Sequence, residues 1–238
     1  MSLYRDEGVV LRTMRLGEAD RIVTLLTRGH GKVRAVAKGV RKTTSKFGGR
    51  LEPLSHVALL CWKGRELDIV NQAEVTEAFR TVREDLSRVA KAFTVLEVAD
   101  QLAQERHPAP RLYEMVLGAL RALAADDSAM LVAGFLLKAL ALEGSAPMVD
   151  ACASCGAEGD LVAFDLLQGG ALCRDCRRGR PVSPAALEMV RRVLGGGLAG
   201  VLVEPASAVT EEVAALAGGA MEAHLDRRLR SLHSSPVG

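Results

Sequence analysis
The chain has 238 residues, 49% of them hydrophobic and 25% charged, which is enough length and apolar content to bury a core and excludes a disordered chain. The net charge of +2 hides an asymmetry: residues 1–80 hold 15 Lys/Arg against 9 Asp/Glu, and the remainder holds 16 against 20. The first part is expected to face a polyanion.

The N-terminus shows no basic region followed by an apolar stretch, so no secretory signal is read there. Residues 8–73 then read as short strands. Residues 9–11 open the first, and the turn chemistry of residues 17–20 precedes the second at 22–26. Residues 28–31 turn into the third, where apolar positions 33, 35 and 37 alternate with Lys32, Arg34 and Lys38. A polar, basic stretch over 39–50 reads as a long loop. Strands at 56–62 and 67–72 follow, joined by residues 63–66. Five short strands with tight turns predict a small antiparallel β-barrel, OB-like, occupying residues 1–80.

The period changes after Glu77. Residues 83–105 carry a near-helical repeat that Pro108 and Pro110 break. Leu112, Met115, Val116, Ala119, Leu120 and Leu123 form the stripe of a second helix. Residues 130–142 are the most apolar run; with Lys138 inside and too few residues to span a bilayer, they read as a buried helix capped by Asp127 or Ser128. Ser183-Pro184 opens another helix, and residues 210–212 open the last, expected to run to about residue 232. The fold class is therefore α+β: the barrel, then a helical domain over 81–238. Only residues 234–238 read as disordered.

The cysteines interrupt the helical domain at about 150–180. Cys152, Cys155, Cys173 and Cys176 form C-x2-C-x17-C-x2-C. Two intervening residues let both thiolates of a pair turn toward one tetrahedral ion, at about 2.3 Å. Residues 161–165 and 169–172 between the pairs read as a hairpin, so the expectation is a zinc ribbon holding one structural Zn2+. Basic neighbours Arg174, Arg177 and Arg178 would offset the charge of four thiolates. A redox role for either pair would need a βαβ context that the surrounding pattern does not supply. The expected compartment is reducing, and the fifth cysteine, Cys61, reads as a small buried hydrophobe beside Trp62.

Eight cations, Arg28, Lys32, Arg34, Lys38, Arg41, Lys42, Lys46 and Arg50, fall in 23 residues with no acid between them. They read as a nucleic-acid grip made of one strand face and a loop, each phosphate contact releasing counterions. The rival reading is a solvated edge strand, where lysine discourages aggregation. Phe47, inside the basic loop, is the candidate for stacking on a base, whereas Trp62 reads as core. No phosphate-binding loop, dinucleotide fingerprint, zincin motif or nucleophile elbow occurs. The five histidines are scattered, and Glu7, Glu18 and Asp20 read as turn and surface groups. The expectation is a binding protein, with no catalytic residue and no small-molecule substrate. An RNA-binding or translation-associated factor would fit a barrel and a zinc ribbon equally well.

Residues 7–13 (EGVVLRT), 17–27 (GEADRIVTLLT), Gly31-Lys32, 37–41 (AKGVR), 45–53 (SKFGGRLEP) and the paired cysteines resemble the bacterial recombination mediator family RecO, over nearly the whole chain. That resemblance implies an N-terminal OB fold, a helical C-terminal domain and DNA repair through the RecF pathway in the cytoplasm, on the nucleoid. It also implies binding of single- and double-stranded DNA, strand annealing, and partnership with RecR. Contact with single-strand-binding protein and help in loading RecA belong to the same implication.

Overall fold
The computed structural model describes residues 2–233; the reading of residues 234–238 lies outside them. It divides into two compact units, Met1–Ala125 and Asp126–Gly238.

The first unit opens with five strands, β1 (Leu3–Leu16), β2 (Asp20–Thr27), β3 (Gly31–Ala37), β4 (His56–Trp62) and β5 (Asp68–Glu77). They close into a barrel in the order β1-β2-β3-β5-β4. Strand β1 is far longer than expected because it serves two neighbours. Its first half pairs with β4 and its second with β2, and a bulge between Val10 and Arg12 bends it from one to the other. The expected wholly antiparallel pairing fails at one seam, where β3 and β5 run parallel over Ala35↔Asp68 and Val36↔Ile69. The reason is parity: directions cannot alternate around a closed ring of five strands, so one adjacent pair must run the same way.

Alternation along β3 sends Val33, Ala35 and Ala37 inward to meet Val10, Val23, Leu25, Val57 and Leu59. The connection between β3 and β4 contributes Phe47 and Leu51 to the same core, which anchors an otherwise polar stretch. Helices α1 (Arg80–Arg83), α2 (Leu86–Leu102) and α3 (Pro110–Ala125) complete this unit. The Asp85 side chain caps α2 by accepting from Arg88 N–H at 3.0 Å, and a proline begins α3. His56, buried on β4, ties the barrel to α3 by its contact with the Tyr113 hydroxyl at 2.8 Å.

The second unit holds α4 (Leu131–Leu142), strands β6 (Leu161–Asp165), β7 (Gly170–Cys173) and β8 (Arg180–Pro181), then α5 (Pro184–Leu194), α6 (Leu198–Leu202), α7 (Ala208–Leu225) and α8 (Arg230–His233). The apolar run is α4, buried against α5 and α7; among the described residues no helix is long and apolar enough to cross a membrane. Met130 rather than Asp127 or Ser128 is its N-cap, although the Ser128 hydroxyl accepts from Met130 N–H at 3.1 Å. Ser183 caps α5 as expected, and Glu212 of α7 clamps its N–H and hydroxyl, each at 2.6 Å. Helix α7 starts before residue 210 because Ser207 and Thr210 cap each other reciprocally. It stops short of residue 232 because Asp226 turns left-handed, with φ of 49°.

Candidate metal centre and nucleic-acid interface
The four cysteines converge. In the first knuckle, Cys152 N–H donates to the Ala157 carbonyl at 2.9 Å and Gly156 N–H to the Cys152 carbonyl at 2.8 Å; Gly156 takes the left-handed turn, φ 76°, that this loop requires. Strand β7 delivers Cys173, and the turn after it delivers Cys176. All four Sγ atoms lie within 4.8 Å of one another, and Cys155 and Cys173 are 3.8 Å apart. A tetrahedron with metal–sulfur bonds of 2.3 Å has edges of about 3.8 Å, so the site has the right size for one ion. The crowding of the sulfurs shows in their acidities. The Cys173 N–H pushes the Cys152 thiol down to about 6, while the neighbouring Cys155 sulfur pushes Cys176 up to about 12. Of the expected basic neighbours, Arg178 is committed to Asp165 at 2.9 Å. Asp165 itself shapes the hairpin turn by accepting from Leu167 and Gln168 N–H.

The basic stretch is not one surface. Its first half is compensated by acids far away in sequence. Arg28 bonds Glu7 at 2.9 Å and approaches Glu114 at 3.7 Å. Lys32 donates to the Asp100 carbonyl and lies 3.5 Å from its carboxylate, and Arg34 lies 3.6 Å from Glu105. The backbone explains why. Strand β3 touches β5 over only two residues, which leaves its beginning unpaired on that side. The segment between α2 and α3 fills the gap: Lys32 N–H donates to the Gln104 carbonyl and Arg106 N–H to the Lys32 carbonyl. Gly31 permits the approach, since a Cβ there would sit 1.8 Å from the His107 carbonyl oxygen.

The second half is different. Arg41 is pinned, donating to the Gly17 and Glu18 carbonyls of the β1–β2 turn, while Asp20 accepts from Gly39 N–H at 2.7 Å. Glu18 and Asp20 are thus turn groups. Lys46 donates to the Asn71 carbonyl and Arg50 to the Lys46 carbonyl, both with exposed side chains. Lys38 and Lys42 are exposed and form no ion pair among the described residues. Phe47 corrects the stacking expectation: it is 1% exposed, its ring inside the barrel and Lys46 Nζ 5.1 Å above it, so no base can reach its face. Its spacing within a basic loop gave no hint of this, because the loop itself closes the barrel.

Residues 1–79 match the family model for the N-terminal part of recombination protein O, and residues 83–233 match that for its C-terminal part. The chain belongs to the RecO family. It is 45% identical over 238 residues to the DNA repair protein RecO of Frankia casuarinae, with 98% of each chain covered. Membership of the RecO family assigns the chain to DNA repair and recombination.

In this RecO-family barrel Trp62 departs from its expected place. Read as core, it is 38% exposed at the end of β4. Cys61 beside it does face inward, as expected, and burial pushes its thiol up to about 12. Strict alternation from Cys61 was the signal that could have turned Trp62 outward.

Proposed function
We propose that this RecO-family chain is a recombination mediator acting without catalytic turnover. It binds single- and double-stranded DNA through the barrel, anneals complementary strands, and with RecR helps load RecA onto DNA coated by single-strand-binding protein. It works in the cytoplasm, on the nucleoid, as part of the RecF pathway. The observation that carries this reading is the exposed cation set of the β3–β4 connection, Lys38 and Lys42 with Lys46 and Arg50, held on a five-stranded closed barrel. Such cations grip phosphates with little preference for sequence.

Cys152, Cys155, Cys173 and Cys176 hold one Zn2+. A four-thiolate zinc leaves no position for water or substrate, so its contribution is to staple the hairpin to the knuckle. The Cys152 N–H closes the first knuckle on the Ala157 carbonyl, and the Cys173 N–H hydrogen-bonds the Cys152 sulfur across the site.

Matched DNA and RNA oligonucleotides, together with an annealing assay on complementary strands, test the reading. Faster annealing in the presence of the protein, with DNA bound at least as tightly as RNA, is expected. Preference for RNA with no annealing would instead favour an RNA-binding factor.

A further inference from the structure
Strands β1 and β4 present an outward face that the compensated basic segment does not explain. Leu3 and Arg5 on β1, and Leu60 and Trp62 on β4, all point away from the core, their inward neighbours Leu59 and Cys61 being buried. The register sets Leu3 opposite Trp62 and Arg5 opposite Leu60. Directly opposed side chains sit about 5 Å apart and diagonal ones about 7 to 8 Å, which puts Arg5 on the diagonal from Trp62, a span a long side chain can cover. Leu3 is 45% exposed, an unusual residue to leave beside a half-open tryptophan. Across β4, Trp62 pairs with Ile69 of β5, and the β4–β5 connection that begins directly after it carries the exposed Lys63 and Arg65.

Charge decides which partner this face suits. Among the described residues, Arg5, Lys63 and Arg65 have no ion pair and no side-chain hydrogen bond, unlike Arg28, Lys32 and Arg34. Near them stands one uncommitted carboxylate, Glu66, because Asp68 is buried and held by Arg106 at 3.0 Å and by Tyr4. The acidic row Glu7–Ala58–Glu74 bounds the patch on the far side. An aromatic ring flanked by apolar side chains and three uncommitted cations matches a nucleobase with its neighbouring phosphates. A purely apolar protein partner would leave those cations unpaired.

We infer that Trp62 is a stacking platform for a base of single-stranded DNA, with Arg5, Lys63 and Arg65 meeting the adjacent phosphates. This rests on the DNA-binding reading above and names where on the barrel an unpaired strand lies. Duplex DNA, whose bases are stacked on one another, gains nothing from the ring, so the site discriminates in favour of single strands.

Trp62 is the single tryptophan of the chain, so its emission reports this site alone. The full chain is titrated with an end-labelled thymidine oligonucleotide, following label anisotropy and tryptophan emission together. Quenching with the same midpoint as the anisotropy is expected. Trp62→Ala should weaken single-strand binding by about 5- to 100-fold at unchanged salt slope, with duplex binding nearly unaffected, and Trp62→Phe should retain most of the affinity. Arg5→Ala with Lys63→Ala and Arg65→Ala should flatten the slope by up to about 2. Anisotropy that rises while tryptophan emission stays constant would overturn the stacking site and leave DNA binding intact. Absence of binding by either signal would overturn the DNA-binding reading itself, and this site with it. Should Trp62→Ala fail to fold, the quenching and the Trp62→Phe variant still decide.

Discussion
Phe47 fills the barrel beside Leu51, and truncating it removes a buried ring from a closed space that cannot collapse around the loss. Phe47→Ala is expected to cost about 3–5 kcal/mol of stability, read as a lower urea midpoint at unchanged slope. Phe47→Leu should cost much less and bind DNA as the parent does, which a stacking residue would not allow. Glu77 gives a second residue-scale test. Hydrogen bonds from Arg121 hold its carboxyl below the usual carboxylate range. Its folded-state value is depressed, so its contribution is complete above the unfolded value of about 4.3 and is lost as pH falls through the folded one. Stability of the parent should therefore drop on acidification below about pH 4.5, and Glu77→Gln should show a shallower drop over the same window. An equal pH dependence in the two proteins would remove Glu77 from the account.

Among the elements, β3 and the connection that follows it divide one run of cations by what their backbones meet. Lys32 and Arg34 lie under the segment that ends α2, with Asp100 and Glu105 against them, whereas Lys38 and Lys42 face outward. Lys38→Ala with Lys42→Ala is expected to flatten the single-strand salt slope by about 1.4, at about 0.7 for each phosphate no longer neutralised. Lys32→Ala with Arg34→Ala should leave the slope nearly unchanged and lower stability instead, because it strips Glu105 of its cation and leaves Asp100 to Arg12 alone, at 2.6 Å. The reverse pattern would show that the α2–α3 segment gives way to DNA. In the ribbon, β7 carries Cys173 into the sulfur cluster. Elemental analysis should find about one zinc per parent chain, while Cys173→Ser should lose the metal and open Asp126–Gly238 to protease. A metal-free parent that remains folded would refute the zinc assignment.

For the molecule as a whole, the two units carry separable signals. Trp62 lies in Met1–Ala125, and the sulfur cluster lies in Asp126–Gly238. A zinc chelator should lower or split the thermal transition followed by far-ultraviolet circular dichroism, while the transition followed by tryptophan emission keeps its midpoint. A common shift of both transitions would mean that the metal supports the barrel as well.

The convergence of the four cysteines was legible in the sequence, because each CxxC pair turns its two sulfurs the same way through local backbone geometry and the pairs need only a hairpin between them. The barrel was legible for a related reason: period-two alternation at Val33, Ala35 and Ala37 fixes which face of β3 is buried. So were the Ser183-Pro184 start of α5 and the burial of Cys61. What local pattern could not give was everything set by distant partners. The parallel β3–β5 seam follows from closing an odd ring, the neutralisation of Lys32 and Arg34 comes from residues about 70 positions away, and Arg41 is spent on a turn in another hairpin. Phe47 and Trp62 make the contrast at single side chains. A polar, basic neighbourhood surrounds the buried ring and a run of apolar residues precedes the exposed one, so composition alone pointed each the wrong way. Which residues alternate along a strand, and which cysteines come together in a knuckle, was settled locally, since those choices are made within a few bonds. Which charges remain for a partner depended on the closed fold, because closure selects each cation's neighbours.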